Sequence, residues 1–241
     1  SPFDETAVDF LESINCPIYK IASFEIVHLP LIKRVAQTKK PIIISTGMAS
    51  IEEIEDAYNA AKDGGAKDIT LLKCTSSYPA DASDADLLTI SDLKSRFPDC
   101  RVGLSDHSHG IGVAVASVAY GAEVIEKHFT LDRKDGGVDS SFSLEPRELK
   151  DLVTETKKAH KAKGEISYQK SKKEEGSMIF RPSIWVSRNI ESGELFSRDN
   201  VIIRRPGNGL SPKYYDEIIG KKAARDINFA QPLNEDLIEK N

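Results

Sequence analysis

Two histidines stand at the ends of apolar runs: His107 within Ser105-Asp106-His107-Ser108-His109-Gly110, and His128 within Glu126-Lys127-His128-Phe129. On adjacent strand ends of a barrel, two imidazoles can face one divalent cation while waters or substrate oxygens complete its shell. The same residues also read as two hydrogen-bonded histidines at a strand end, because the pair lacks the tight spacing of HExxH or CxxC motifs. His109 is a rival ligand that lies further into its loop, where strand alternation no longer sets direction. His28 and His160 fall in helical or exposed contexts and read as surface residues.

A second set is cationic and hydroxylic: Lys20, Ser23, Ser45, Ser76 and Ser105 close successive apolar runs. Serine hydroxyls and a lysine ammonium are suited to a phosphate or a carboxylate, the lysine as a compact point charge. A single strand-end serine reads as the cap of the next helix. Five on the face that holds the histidines raise the anion-site reading beside the capping one. Glu25, Asp106 and Asp139 can each orient a water or a sugar hydroxyl, or serve as turn and capping residues. Cys74 has no base beside it in sequence and reads as a buried structural thiol rather than a nucleophile.

The elements that must position these residues follow from periodicity. Five short β-branched runs, at 17–23, 41–46, 69–74, 101–105 and 123–128, read as buried strands. Between them, 6–14, 29–38, 51–62, 89–97 and 111–120 space their apolar residues as helices do. Ser50-Ile51-Glu52-Glu53 is a capping box that fixes one helix start. Strict alternation implies a parallel sheet, either open and doubly wound or closed into a (β/α)₈ barrel. Polar residues at the end of strand after strand favour the barrel, where those ends converge on one face. A charged helix from 145 to about 163 closes this region, a solvated linker spans 164–180, and short strands with a Gly-rich loop, Arg205-Pro206-Gly207-Asn208-Gly209, mark a second domain at 181–241.

Composition bounds the partners. Against 38 Asp+Glu, the 33 Lys+Arg leave a net charge of −5, with no basic excess to neutralise a nucleic-acid backbone. Hydrophobic residues at 39% and charged residues at 29% describe a soluble globular chain with no run long enough to span a bilayer. Three cysteines without CxxC spacing, and an N-terminus lacking the basic and apolar regions of a signal peptide, point to a reducing, cytoplasmic setting.

Five runs, Tyr19-Lys20-Ile21-Ala22-Ser23-Phe24-Glu25, Pro41-Ile42-Ile43-Ile44-Ser45-Thr46-Gly47-Met48, Lys73-Cys74-Thr75-Ser76-Ser77-Tyr78-Pro79, Gly103-Leu104-Ser105-Asp106-His107 and Glu126-Lys127-His128-Phe129-Thr130, closely resemble the sialic acid synthase family. The Arg205 to Gly209 loop resembles that family's C-terminal antifreeze-like (SAF) domain, and the 132–146 segment is most similar to the pseudaminic acid branch. The resemblance implies a (β/α)₈ TIM-type barrel, N-terminally truncated here, followed by the SAF domain. Ser1-Pro2-Phe3 resembles the end of a third strand, so about the first hundred residues of a family barrel are expected to be missing.

Carried over by position, the resemblance implies that His107 and His128 bind manganese or magnesium, and that Lys20, Ser23, Ser45, Ser76 and Ser105 contact phosphoenolpyruvate. Ser76 stands where some relatives have asparagine. Glu25, Tyr78 and Asp139 would face the sugar or the attacking water, and Arg205 would be lent to the partner's site in a domain-swapped homodimer. The implied reaction condenses phosphoenolpyruvate with an N-acetylated amino sugar, a 6-deoxy diacetamido hexose, to a nonulosonic acid such as pseudaminic acid, releasing phosphate. The alternatives are an N-acetylneuraminate synthase using N-acetylmannosamine, a non-catalytic sugar- or anion-binding remnant, and a lyase with a Schiff-base lysine at Lys20 or Lys73.

Overall fold

A computed structural model describes residues 1–239, which fold as two compact units, one running from Ser1 to Glu165 and the other starting at Ile166. In the first, five strands pair in parallel in chain order: β1 (Tyr19–Ile21), β2 (Ile42–Ser45), β3 (Ile69–Cys74), β4 (Arg101–Asp106) and β5 (Val124–Lys127). Helices alternate with them: α1 (Glu5–Ser13), α2 (Leu29–Ala36), α3 (Ile51–Asp63), α4 (Leu88–Arg96) and α5 (Gly112–Ser117), with α6 (Pro146–Lys163) after β5. The expected strands and helices therefore form, as a five-stranded half-barrel. The Ser50 hydroxyl accepts from the Glu53 amide and the Glu53 carboxylate accepts from the Ser50 amide, so the predicted capping box starts α3.

Register decides which side chains meet. Ile21, Ile44, Leu71 and Val102 lie side by side across the first four strands. With Tyr19, Ile42, Ile69 and Leu104 they pack into one buried core with Leu31, Ile32, Val35, Ile54, Ala57, Ile90 and Leu93 of the helices. Alternation then sends Lys20, Ser45, Cys74, Ser105 and Glu126 to the opposite, concave face. The sheet curls enough that Lys20 on β1 and Glu126 on β5, the first and last strands, approach to 3.6 Å. Gly103 permits this crowding, since a Cβ there would lie 2.0 Å from the Val124 carbonyl oxygen of β5.

Behind the last two strands lies a buried ion pair. Asp106 and Lys127 are registered partners, their side chains are each 3% exposed, and Nζ lies 2.8 Å from Oδ2. The Lys127 ammonium also donates to the Ser108 carbonyl, and Asp106 Oδ1 accepts from the Ser108 amide. Asp106, read from sequence as a candidate to orient water or sugar, is thus spent on structure: its carboxylate points away from the concave face and is saturated by Lys127 and Ser108.

The second unit has its own core of Ile184, Val186, Phe196, Val201, Ile218, Ile227 and Leu233. Its strands β6 (Ser183–Val186) and β7 (Val201–Arg204) pair antiparallel. The segment predicted as a linker contains a short helix, α7 (Lys172–Glu175), capped by Ser171. No helix among the described residues is long and apolar enough to cross a membrane.

Replacing Lys127 by methionine keeps the side-chain length but leaves the Asp106 charge buried and unpaired. Lys127→Met is expected to destabilise the chain by about 3–5 kcal/mol in urea denaturation; a loss under about 1 kcal/mol would show that water reaches the pair.

Candidate active site

The site is built at the C-terminal ends of β1 to β5. His107 follows Asp106 and His128 follows Lys127, so the ion pair on the outer side sets both imidazoles toward the concave side, with ring centroids 5.1 Å apart and planes at 79°. The Thr75 carbonyl lies 2.9 Å from His107 Nδ1, and Asp139 Oδ2 lies 3.5 Å from His128 Nδ1. A backbone carbonyl on one Nδ1 and a carboxylate by the other are the partners that leave Nε2 free to bind a cation. Burial, and then the neighbouring His107, hold the His128 imidazole below its usual pKa. Among the described residues no group of three or more His, Cys, Asp or Glu side chains is arranged to hold a metal. The two imidazoles supply two nitrogen donors, a set that fits a divalent cation only where waters or substrate oxygens complete the shell. His109 is exposed and stands outside this pair, and His28 caps α2 by accepting from the Leu31 amide.

Aromatic side chains wall the pair. The Tyr78 ring lies 4.2 Å from His107 and 5.9 Å from His128, and Phe142 lies 5.0 Å from His128. Tyr78 comes from the loop after β3 and is 44% exposed. Phe142 was not singled out from sequence, because only the return of the 133–144 loop, where Leu144 donates to the His128 carbonyl, brings it alongside.

The cradle lies on the neighbouring strand ends. Ser23 Oγ accepts from the Gly47 amide, and a Cβ on Gly47 would fall 2.1 Å from Ser76 Oγ and 2.7 Å from Ser23 Oγ. Glycine is thus required for these two hydroxyls to close over the backbone. Ser45 Oγ and Glu25 Oε2 are buried without a hydrogen-bond partner among the described residues. Burial pulls the Lys20 ammonium below its usual pKa, and Glu126 opposes that shift. Ser105 donates to Glu126 Oε1 at 2.7 Å, so its proton is engaged rather than free. Glu126, absent from the sequence candidates, is thus a central carboxylate of this face.

Cys74 is buried, as expected of a structural thiol, and an imidazole absent beside it in sequence is present in space: its sulfur lies 3.9 Å from His107 Nδ1, the nitrogen that also faces the Thr75 carbonyl. Burial raises the thiol, but hydrogen bonding with His107, Ser23 and Ser105 outweighs it and brings the pKa to about 7. Lys73 Nζ donates to the Cys74 carbonyl and the Thr75 hydroxyl.

In the second unit, the 205–209 loop is pinned by Ser183 and Trp185 of β6. Ser183 Oγ and Trp185 Nε1 donate to the Pro206 carbonyl at 2.7 and 3.0 Å, and the Gly209 amide donates to Ser183 Oγ at 3.0 Å. Arg205 is exposed on this fixed loop.

Residues 1–168 match the NeuB family model and residues 181–239 match the SAF domain model. The N,N'-diacetyllegionaminic acid synthase of Campylobacter jejuni is 44% identical over 98% of this chain and 71% of its own length. The pseudaminic acid synthase of Helicobacter pylori is 41% identical over 100% of this chain and 71% of its own. The crystal structure of the Bacillus subtilis spore coat polysaccharide biosynthesis protein spsE superposes with a TM-score of 0.65 at 35% identity, covering 100% of this chain and 72% of that one. A half-barrel whose strand ends gather two histidines and a lysine–serine cradle, followed by a separately packed SAF unit, belongs to the NeuB family.

Proposed function

We propose that the chain is a synthase-type transferase that condenses phosphoenolpyruvate with an N-acetylated amino sugar to a nonulosonic acid and phosphate. The observation that carries this reading is that the Lys20–serine cradle and the His107–His128 pair share one concave face, where Ser45 Oγ and Glu25 Oε2 are buried and unpartnered among the described residues. The synthase relatives support the same substrate class. For the sugar we propose a 6-deoxy diacetamido hexose of the pseudaminic acid type, supported by the 132–146 loop.

In this reading Lys20, Ser23, Ser45, Ser76 and Ser105 bind the phosphate and carboxylate of phosphoenolpyruvate. A manganese or magnesium ion held by His107 and His128 would supply Lewis-acid polarisation of the open-chain sugar aldehyde. Tyr78 and Asp139 orient the sugar. Glu25, whose buried Oε2 lacks a partner among the described residues, orients the water that adds at C2 after the carbon–carbon bond forms. The expelled phosphate remains with Lys20 and the serine donors, which meet charge where it develops. Arg205 completes the site of a second subunit in a domain-swapped homodimer, supported by its exposure on a pinned loop. The free thiols of Cys16, Cys74 and Cys100 accord with a cytoplasmic setting.

The deciding experiment is manganese-dependent phosphate release from phosphoenolpyruvate by the full chain, with each sugar offered separately. Release with the diacetamido trideoxy sugar is expected. Release only with N-acetylmannosamine would move the chain to the N-acetylneuraminate branch, and release with neither would overturn the synthase reading for this chain. Manganese binding, followed by the paramagnetic signal of the free ion, is expected to weaken at least ~10-fold in His107→Ala and in His128→Ala; unchanged affinity in both would remove the metal from the site. Mixing His107→Ala with Arg205→Ala subunits is expected to restore turnover that neither variant has alone, since a mixed dimer holds one intact site. Failure of mixing, with both variants dimeric, would place Arg205 in its own subunit's chemistry or outside it.

A further inference from the structure

A carboxylate at the centre of an anion-binding face is costly unless it has a use, because it repels the ligand that the lysine and the serines attract. Glu126 is such a group. A single oxygen, Oε1, accepts from Ser105 Oγ at 2.7 Å and faces Lys20 Nζ at 3.6 Å. Lys20 also donates to the Ile21 carbonyl at 3.0 Å, so its position is set by its own strand and by Glu126. The two donors come from β1 and β4, and Glu126 comes from β5, so the contact ties the first strand of the sheet to the last across the concave face. The Glu126 side chain is 39% exposed toward that face, whereas the other cross-strand ion pair at this end, Asp106 with Lys127, is sealed at 3%.

We propose that Glu126 is an internal stand-in for the substrate anion: it holds Lys20 and Ser105 between turnovers, gives them up when a phosphate-bearing ligand enters, and takes them back as phosphate leaves. This rests on the reading of Lys20 and the serines as the anion cradle. Glu126 acts through Lys20 and Ser105 and is therefore a positioning residue. Its carboxylate keeps both donors oriented before a ligand arrives and lowers affinity for the free phosphate product, so the same residue preorganises entry and speeds departure. A purely structural role predicts the opposite sign, because removing the charge would disorder Lys20 and weaken anion binding.

Affinity for inorganic phosphate, measured by isothermal titration calorimetry on the full chain, separates the two. Glu126→Gln retains an acceptor for Ser105 and is expected to bind phosphate about five- to tenfold more tightly than the parent, the worth of one partly exposed ion pair together with the relieved repulsion. Glu126→Asp keeps the charge and is expected to stay within about twofold of the parent. Lys20→Met is expected to lose binding. Equal or weaker phosphate binding by Glu126→Gln, with its thermal midpoint unchanged, would overturn the stand-in role while leaving the cradle in place. An equal gain in Glu126→Gln and Glu126→Asp would overturn it as an effect of side-chain packing. Phosphate binding that survives Lys20→Met unchanged would instead overturn the cradle reading, and the stand-in with it.

Discussion

The buried ion pair between Asp106 and Lys127 is the constraint on which the rest of the site depends. Two charges at 3% exposure must be paired, and the only register that pairs them sets Ser105 against Glu126 and sends the next residues, His107 and His128, to the same side. A slip of one residue would turn each of these side chains to the other face and leave a carboxylate uncompensated in the core. An apolar pair of similar volume would fill the space as well, yet it would not penalise the slip so steeply. Ser108, held by both members of the pair, extends the same clamp into the loop beyond His107.

Curvature is the second condition. Five strands laid flat would put Lys20 and Glu126 four strand spacings apart, roughly 19 Å. Their approach to 3.6 Å reflects the coiling of a barrel wall. Gly103 and Gly47 stand where that coiling leaves no room for a side chain, one between strands and the other beneath the serine hydroxyls. Concentrating polar groups on the inside of the curve leaves Ser45 Oγ, Thr70 Oγ1 and Glu25 Oε2 buried without partners among the described residues. Each costs about 1–3 kcal/mol until it is hydrogen-bonded. The outer face, with its continuous packing against α1 to α4, offsets that loss.

Much of this arrangement was legible along the chain because it depends on local pattern. Strand ends, helix spacing and the Ser50–Glu53 box each require only a few neighbouring residues. Lys20, Ser23, Ser45, Ser76, His107 and His128 could be nominated because each closes an apolar run. What stayed hidden is what register alone creates. Glu126 matters through Ser105 and Lys20, which lie far from it along the chain and on other strands. Cys74 gains an imidazole neighbour from His107, just past the end of the next strand, and Asp106 loses its apparent freedom to Lys127. Alternation tells which side of a strand a residue faces, but not which residue of the neighbouring strand lies opposite, and these three relations are all of the second kind. Phe142 was hidden for a different reason, since its place is set by the return of a loop.

The SAF unit shows how a single exposed guanidinium can be given a fixed origin without burying it. A free arginine on a mobile loop loses most of its binding energy to ordering, since its rotamers and the loop backbone must both be frozen. Here the backbone on the far side of Arg205 is already fixed: the Pro206 carbonyl accepts from both Ser183 and Trp185, and the Gly209 amide closes the turn onto the same serine. Ser183 and Trp185 belong to β6, whose neighbours Ile184 and Val186 are fully buried in the unit's core, so the anchor is as rigid as that core. What is left free to move is the arginine side chain alone. Because these bonds all come from within the second unit, the loop's geometry follows from that unit's own core.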